Sequence, residues 1–142
     1  MKKNPVFYLI STAGFPNLGD EWITLSWLEA IFRRFTEATV FLDVHFPAGF
    51  MSLIKTRPYR NCIHCIDLYW QITYPYADQP WDSSLRNLQE IYTHSKTSHP
   101  TLMQLSDILP DITHIHFLGG GYCTGFWQGH SDIPLIVILL KG

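Results

Sequence analysis

The first 44 residues alternate apolar and helical segments, and this order constrains the fold more than any other feature. Residues 6–10 form a continuous apolar run, which is typical of a strand covered on both faces of a parallel sheet. Residues 38–44 form a second such run. Between them, large apolar residues recur at three- and four-residue steps, as on one face of a helix: Leu25, Leu28, Phe32 and Phe35. The order predicts a βαβ unit and hence a parallel sheet.

The later segments continue the alternation. The pattern predicts a short helix within residues 49–61 that ends before Pro58, a strand within 62–70, and helices over 83–95 and 101–110. A further strand is expected over 111–118, before three glycines. Together these elements predict an α/β fold, a single Rossmann-like domain over residues 1–142 with a parallel sheet and flanking helices. A doubly wound domain normally continues beyond a final apolar run such as 135–140, so we expect a shortened version of a longer fold.

Charge and cysteine content exclude several classes of protein. The net charge is −2, so the chain has no strong field for nucleic acid and no polybasic membrane patch. No apolar run approaches the roughly 20 residues of a transmembrane helix. The N-terminus has two lysines before an apolar run, but Pro5 interrupts it and no signal cleavage site follows. Three cysteines without a secretory signal predict reduced thiols and a cytoplasmic location.

The turn at residues 14–21, GFPNLGDE, joins the first strand to the first helix. It is neither a G-x-G-x-x-G segment nor a P-loop, and it ends in two carboxylates, Asp20 and Glu21. These would repel a phosphate placed beside them, but they suit hydrogen bonds from sugar hydroxyls or general-base catalysis. In the alternative interpretation, Asp20 only caps the helix and Glu21 only complements its dipole.

A second glycine segment, Gly119–Gly121, directly follows the predicted strand at 111–118. Three successive glycines allow close approach by a ligand, although a tight strand-to-helix turn would also use them. Because both glycine segments follow strands, a parallel sheet would bring them to the same edge. Their convergence favours a ligand site there.

Other titratable groups carry weaker signals. His114 and His116 share one face of a strand and are better explained as packed or partly exposed residues than as a metal pair. Cys62 and Cys65 have C-x-x-C spacing, but a zinc site needs about four ligands, so we expect indifferent thiols. The basic pair in RPYR, Arg57 and Arg60, is expected on the solvated surface.

At its two glycine segments the chain resembles the polysaccharide pyruvyl transferase family. The matching residues are a glycine–Asn–x–Gly–Asp–Glu turn and a later strand that runs into three glycines: Gly14, Asn17, Gly19, Asp20, Glu21, Gly119, Gly120 and Gly121. The resemblance runs from about residue 5 to about residue 130. It implies a GT-B-type fold of two Rossmann-like halves, of which this chain is similar to the N-terminal half.

The resemblance also implies an activity, the transfer of a pyruvyl group from phosphoenolpyruvate to a sugar of a cell-surface polysaccharide precursor. Asp20 or Glu21 would be the base or orient the acceptor, and His116, His114 or His130 would be the acid. The other matching residues would bind substrate, with phosphoenolpyruvate as donor, a carbohydrate as acceptor, and no cofactor or metal.

Three functions stay open at this point. The two glycine turns carry no arginine or lysine to bind phosphate, so we expect the chain to need a complementing C-terminal half, or a homo-oligomer, for activity. The chain would then be a transferase half, a non-catalytic sugar- or nucleotide-binding module or partner subunit, or a fragment of a nucleotide-sugar glycosyltransferase.

Overall fold

A computed structural model of the chain describes residues 4–14, 17–73, 86, 89–90, 93 and 99–119. The described residues form two compact units. The first comprises Met1–Asp67 and Asp111–Gly119, and the described part of the second lies within Leu68–Pro110. Of the predicted helix over 83–95, the structure describes only residues 86, 89–90 and 93. The final apolar run at 135–140 lies outside the described residues.

The first unit contains a sheet of four parallel strands. These are β1 (Val6–Ser11), β2 (Thr39–Val44), β3 (Ile63–Ile66) and β4 (His114–Leu118). Their order in space is β3-β2-β1-β4, with β1 parallel to both of its neighbours. The predicted α/β class and parallel sheet are therefore confirmed, and the order matches one half of a Rossmann-like sheet.

Two helices of this unit supply much of its core. Helix α1 (Leu18–Arg34) connects β1 to β2, and α2 (Pro47–Leu53) precedes β3, with a short 3₁₀ turn over Arg60–Cys62. One set of buried side chains joins α1, α2 and alternate residues of the strands: Phe7, Leu9, Val40, Leu42, Leu28, Ile31, Phe32, Phe50 and Ile54. The α1 positions confirm the predicted face, except that Phe35 follows the helix and is exposed.

The opposite face of the strands is also buried. Tyr8, Ile10 and Asp43 are all fully inaccessible to solvent. The Tyr8 hydroxyl donates a 2.6 Å hydrogen bond to Asp43 Oδ2, which offsets part of the cost of burying that carboxylate. Burial on both faces explains why residues 6–10 are apolar without alternation.

The second unit is helical in its described part. Helix α3 (Leu68–Thr73) contacts α4 (Pro100–Ile108), and Thr101 donates a hydrogen bond to Gln71 Oε1 at 3.2 Å. The prediction of one strand within 62–70 is wrong for its second half, since β3 ends at Ile66 and a helix starts at Leu68. Apolar runs this short do not distinguish a strand from a buried helix.

Two other boundaries differ from the sequence prediction. The helix predicted over 101–110 starts at Pro100, and a 3₁₀ turn over Leu109–Asp111 includes Pro110. The last strand begins at His114 instead of residue 111. None of the helices in the described part of the chain has the length and apolar character needed to cross a membrane.

Candidate functional site

The candidate site lies where β1 and β4 end side by side. The strand order places β2 and β3 on one side of β1 and β4 on the other, so the direction of winding reverses between β1 and β4. At such a reversal the connections leave in opposite directions, and α/β sheets bind ligands in the resulting crevice at the carboxyl ends of the strands. Ser11 and Leu118 are paired at these ends. Gly119 directly follows Leu118, and Gly14 lies three residues after Ser11.

Asn17, and not Asp20, caps helix α1. Its extended backbone precedes Leu18, and its side-chain Oδ1 accepts a 3.2 Å hydrogen bond from the Gly19 amide. The interpretation in which Asp20 caps the helix is therefore wrong. Both residue types are good caps, but the helix begins three residues earlier than expected and thereby places Asp20 inside its first turn.

Asp20 is held in place by two neighbours. Asn17 Nδ2 donates to Asp20 Oδ2 at 2.6 Å, so one amide side chain both caps the helix and orients the carboxylate. The Asp20 backbone carbonyl accepts a 2.8 Å bond from the Thr24 hydroxyl. Because the carboxylate has such a short bond to one oxygen, its other oxygen keeps a defined direction.

That second oxygen lies against Gly119. A Cβ atom built on Gly119 would be 3.0 Å from Asp20 Oδ1 and 3.9 Å from Thr12 Oγ1. Gly119 has φ +89°, a conformation that L side chains rarely adopt. A carboxylate, a hydroxyl and a glycine from three elements thus meet at one point, as expected from the parallel sheet.

A buried chain of hydrogen bonds supports this arrangement. Thr24 Oγ1 donates to the Asp20 carbonyl, so the Ser11 hydroxyl must be the donor in its 2.6 Å bond to Thr24. Ser11 in turn accepts from the Ala13 amide at 3.1 Å. Ser11 and Thr24 are fully buried, so the chain fixes the end of β1 to the first turn of α1 in an apolar environment.

The turn after β1 is pressed against the end of β2. Gly14 has φ +94°, and a Cβ there would lie 2.8 Å from the Phe46 carbonyl oxygen. A Cβ on Gly49 would lie 3.3 Å from the Gly14 carbonyl oxygen. The absence of a side chain at Gly14 therefore allows the turn after β1 to lie close to the segment after β2. Gly19 lies in α1, where a Cβ would have only an ordinary contact with Asn17.

Glu21 lies next to Asp20 but faces another direction. Successive residues of a helix are about 100° apart around its axis, so the two carboxylates do not point to one place. Glu21 is half-buried, and its amide donates a 3.2 Å bond to the Asn17 carbonyl. Of the two carboxylates, only Asp20 has a described contact with the point where β4 ends.

The structure places His116 within β4, two residues before its end. It pairs with Leu9, and its ring lies 4.6 Å from that of Trp27 and 6.4 Å from that of Phe7. Burial, together with the charge of His114, lowers the pKa of His116 below its usual value. A neutral imidazole is a poor general acid at neutral pH. The described ring contacts of His116 are with the buried Phe7 and the partly exposed Trp27, in agreement with a packed or partly exposed histidine.

Two of the three cysteines, Cys62 and Cys65, are among the described residues. Both Cys62 and Cys65 are free thiols that pack against the core. Burial raises the pKa of Cys65 to about 12, with smaller contributions from the charges of Asp43 and Asp67. A thiol that stays protonated is a weak nucleophile and metal ligand.

Among the described residues of the first unit, the arginines lie away from this edge of the sheet. Residues 11–14, 17–21, 45–46 and 119 include no lysine or arginine. Arg57 forms a 3.1 Å ion pair with Glu29, in agreement with a surface role, and Arg60 donates to Asn61. Arg33 and Arg34 are in the last turn of α1, about 20 Å along the helix from Asp20.

Some residues at this edge were not singled out by sequence reasoning, and others lie outside the described residues. Thr12, Ser11, Thr24 and Phe46 carry no motif, and only the spatial approach of β1, β2 and α1 reveals them. Two hydroxyl residues, Ser11 and Thr12, follow the predicted strand at residues 6–10, and this is the one signal that would have identified them. Gly120, Gly121 and His130 are outside the described residues.

Comparison with known proteins gives no further assignment, because no protein-family model, curated protein or solved structure matches the chain. The resemblance to a family therefore rests on the two glycine segments and their order along the sequence.

Proposed function

We propose that the edge of the sheet where β1 and β4 end beside Asp20, called the Asp20 edge below, is the sugar-acceptor site of a polysaccharide pyruvyl transferase-like protein. In this proposal the first unit corresponds to part of the N-terminal half of a GT-B-type enzyme. The observation that carries the proposal is the position of Asp20 Oδ1 against Gly119, at the point where β1 and β4 diverge. Asn17 holds the other carboxylate oxygen, so the first is directed toward the crevice.

The local charge favours a hydroxyl ligand over a phosphate. Asp20 and Glu21 bring negative charge to the start of α1, and the described residues of the edge include no cation. A carboxylate accepts hydrogen bonds, and at a sugar it accepts them from hydroxyl groups. Thr12 adds a hydroxyl that both donates and accepts, which suits a neighbouring hydroxyl of the same sugar.

In the proposed reaction, Asp20 orients or deprotonates an acceptor hydroxyl. Two sugar oxygens form bonds to C2 of phosphoenolpyruvate, the C2–O bond to phosphate breaks, and inorganic phosphate leaves. Of the two hydroxyl protons, one is transferred to the methylene carbon, which becomes a methyl group, and the other leaves with phosphate. A positioned general base contributes about 100-fold or more to such a step.

The test uses the purified 142-residue chain, alone and together with a complementing C-terminal half of a polysaccharide pyruvyl transferase, with phosphoenolpyruvate and methyl glycosides of glucose, galactose and mannose. Inorganic phosphate and a new ketal methyl signal in the proton NMR spectrum measure transfer. We expect Asp20→Asn to reduce turnover about 100-fold or more, because the amide keeps the size of the side chain and removes its basicity. Glu37→Gln, which removes an exposed carboxylate after α1, is the matched control. Equal turnover in both variants would exclude Asp20 as the base.

A second function, sugar binding without turnover, is favoured by one specific observation. The cations needed to neutralise phosphate and carboxylate are not among residues 11–14, 17–21, 45–46 and 119. Binding of a glycoside in saturation-transfer NMR, with no phosphate release, would select this function over transfer. Failure of the chain to bind any of the glycosides would contradict both functions.

A further inference from the structure

We propose that Phe46 is the stacking platform for the sugar ring at the Asp20 edge, an inference that rests on the function proposed above. Phe46 directly follows β2 and precedes α2, so it lies at the same edge of the sheet as Gly14 and Gly119. It adds an apolar surface to a site that otherwise consists of polar groups and glycines.

The exposure of Phe46 contrasts with its surroundings. Its side chain is 46% exposed, whereas Val44 and Phe50 on either side are fully buried. A large aromatic residue left in solvent beside a ligand crevice offers apolar area that a ligand can cover.

The backbone of Phe46 is fixed by glycine contacts. A Cβ on Gly14 would collide with the Phe46 carbonyl oxygen at 2.8 Å and would touch the Phe46 Cβ at 3.4 Å, and a Cβ on Gly49 would contact the Phe46 Cβ at 3.9 Å. The exposed ring is thus attached to a segment that cannot easily move away. A fixed backbone reduces the conformational entropy that is lost when a ligand binds.

The ring itself is restrained as well. The His45 ring lies 4.7 Å from the Phe46 ring at an angle of 44°. Contact with a neighbouring ring limits the orientations of Phe46 while nearly half of its surface stays accessible. Preorganisation of this kind distinguishes a binding platform from an exposed residue that moves freely.

The geometry points to a cyclic sugar as the ligand. β2 and β4 flank β1, and two strand spacings separate their ends by about 10 Å. Phe46 lies just after β2, and the Asp20 carboxylate on α1 lies against Gly119 at the end of β4, so we infer that one sugar unit spans the gap between Phe46 and Asp20. The negative face of an aromatic ring attracts the polarised C–H groups of a pyranose, while hydroxyls at the rim of the sugar reach the carboxylate.

The experiment measures dissociation constants of methyl β-D-glucopyranoside, methyl β-D-galactopyranoside, methyl α-D-mannopyranoside and open-chain sorbitol by NMR titration of the full chain. Phe46→Leu keeps apolar bulk but removes the flat ring, and Phe46→Tyr keeps the ring. Leu53→Ala is the matched control, since Leu53 is 43% exposed on α2 and is outside the proposed site. Circular dichroism confirms that each variant is folded.

We expect at least one pyranoside to bind more tightly than sorbitol, and Phe46→Leu to weaken that binding about tenfold. Phe46→Tyr and Leu53→Ala should bind like the unmodified chain. If Phe46→Leu binds as tightly as Leu53→Ala, the platform is excluded while the sugar site stands. If the unmodified chain binds no pyranoside, the proposed function itself fails, and this inference fails with it.

Discussion

At the scale of single residues, the site depends on a division of roles between Asn17 and Asp20. Asn17 uses its carbonyl oxygen to cap α1 and its amide group to hold Asp20. Asp20 is therefore not needed to satisfy the helix terminus, and its second oxygen faces the end of β4. The sequence left two roles open for Asp20, helix cap or ligand contact. The structure excludes the cap, and ligand contact stays a prediction.

This division predicts different costs for two substitutions. Asn17→Ala should lower the free energy of unfolding by about 1 kcal/mol, because the Gly19 amide loses its acceptor. Asp20→Asn should cost less, since an amide oxygen still accepts from Asn17. Ser26→Ala, at an exposed position of the same helix, is the control. Urea unfolding measures all three, and a greater loss for Asp20→Asn than for Asn17→Ala would contradict the assignment of the cap.

The two glycines around Asp20 should respond in opposite ways to alanine. Gly119→Ala forces a residue with a side chain into φ +89° and places a Cβ 3.0 Å from Asp20 Oδ1, so we expect a loss of about 1–3 kcal/mol. Gly19→Ala lies in a helix without close contacts and should stabilise by about 0.4–1 kcal/mol. Thermal unfolding of both variants tests this. Equal effects would mean that Gly119 is not in the conformation described.

At the scale of elements, local patterns predicted β1, α1 and β2, because each buries apolar residues at a regular period. The parallel arrangement then predicted that the two glycine segments meet. Sequence patterns did not predict the helix start at Leu18, since Asn17 and Asp20 are both good caps. Phe46 and Thr12 were also missed, because their roles arise from approaches between distant segments.

A further contact between elements makes stability depend on pH. Tyr59, just before the 3₁₀ turn, stacks on Phe32 of α1 at 4.7 Å and donates a 2.8 Å hydrogen bond to Glu29. Burial raises the pKa of Tyr59 to about 12, and the hydrogen bond to Glu29 and its charge add to the increase. The folded state therefore favours the protonated phenol. The resulting contribution of Tyr59 to the free energy of unfolding is fully present below pH 10 and is lost as pH rises toward 12.

Tyr59→Phe keeps the stacked ring and removes only the hydroxyl. At pH 8 the variant should be less stable by about 1 kcal/mol, the usual value of a hydrogen bond. Between pH 10 and pH 12 that difference should decrease, because only the unmodified chain loses the contribution of Tyr59. Urea unfolding of both proteins across this range measures it. A difference that stays constant with pH would show that the phenol does not titrate as described.

At the scale of the whole molecule, strand order connects fold to site. In the order β3-β2-β1-β4, the strand β1 pairs with a neighbour on each side and also borders the reversal of winding. No other described strand has both properties. Its residues are buried on both faces, and its end carries Thr12 and the hydrogen-bond chain from Ser11. The most buried strand of the first unit thus supports the candidate site, which is how a rigid scaffold positions binding residues.

This architecture predicts a gradient of hydrogen exchange across the sheet. Amides of Leu9 and Ile10 in β1 should exchange only when the first unit unfolds as a whole, because they are fully buried in a strand paired on both sides. Amides of β3, a four-residue strand whose described pairing is with β2 alone, should exchange at least about tenfold faster. Native-state exchange followed by NMR gives the rates residue by residue. If β3 is protected as strongly as β1, the strand order is wrong, and the placement of Asp20 beside Gly119 at a reversal of winding no longer holds.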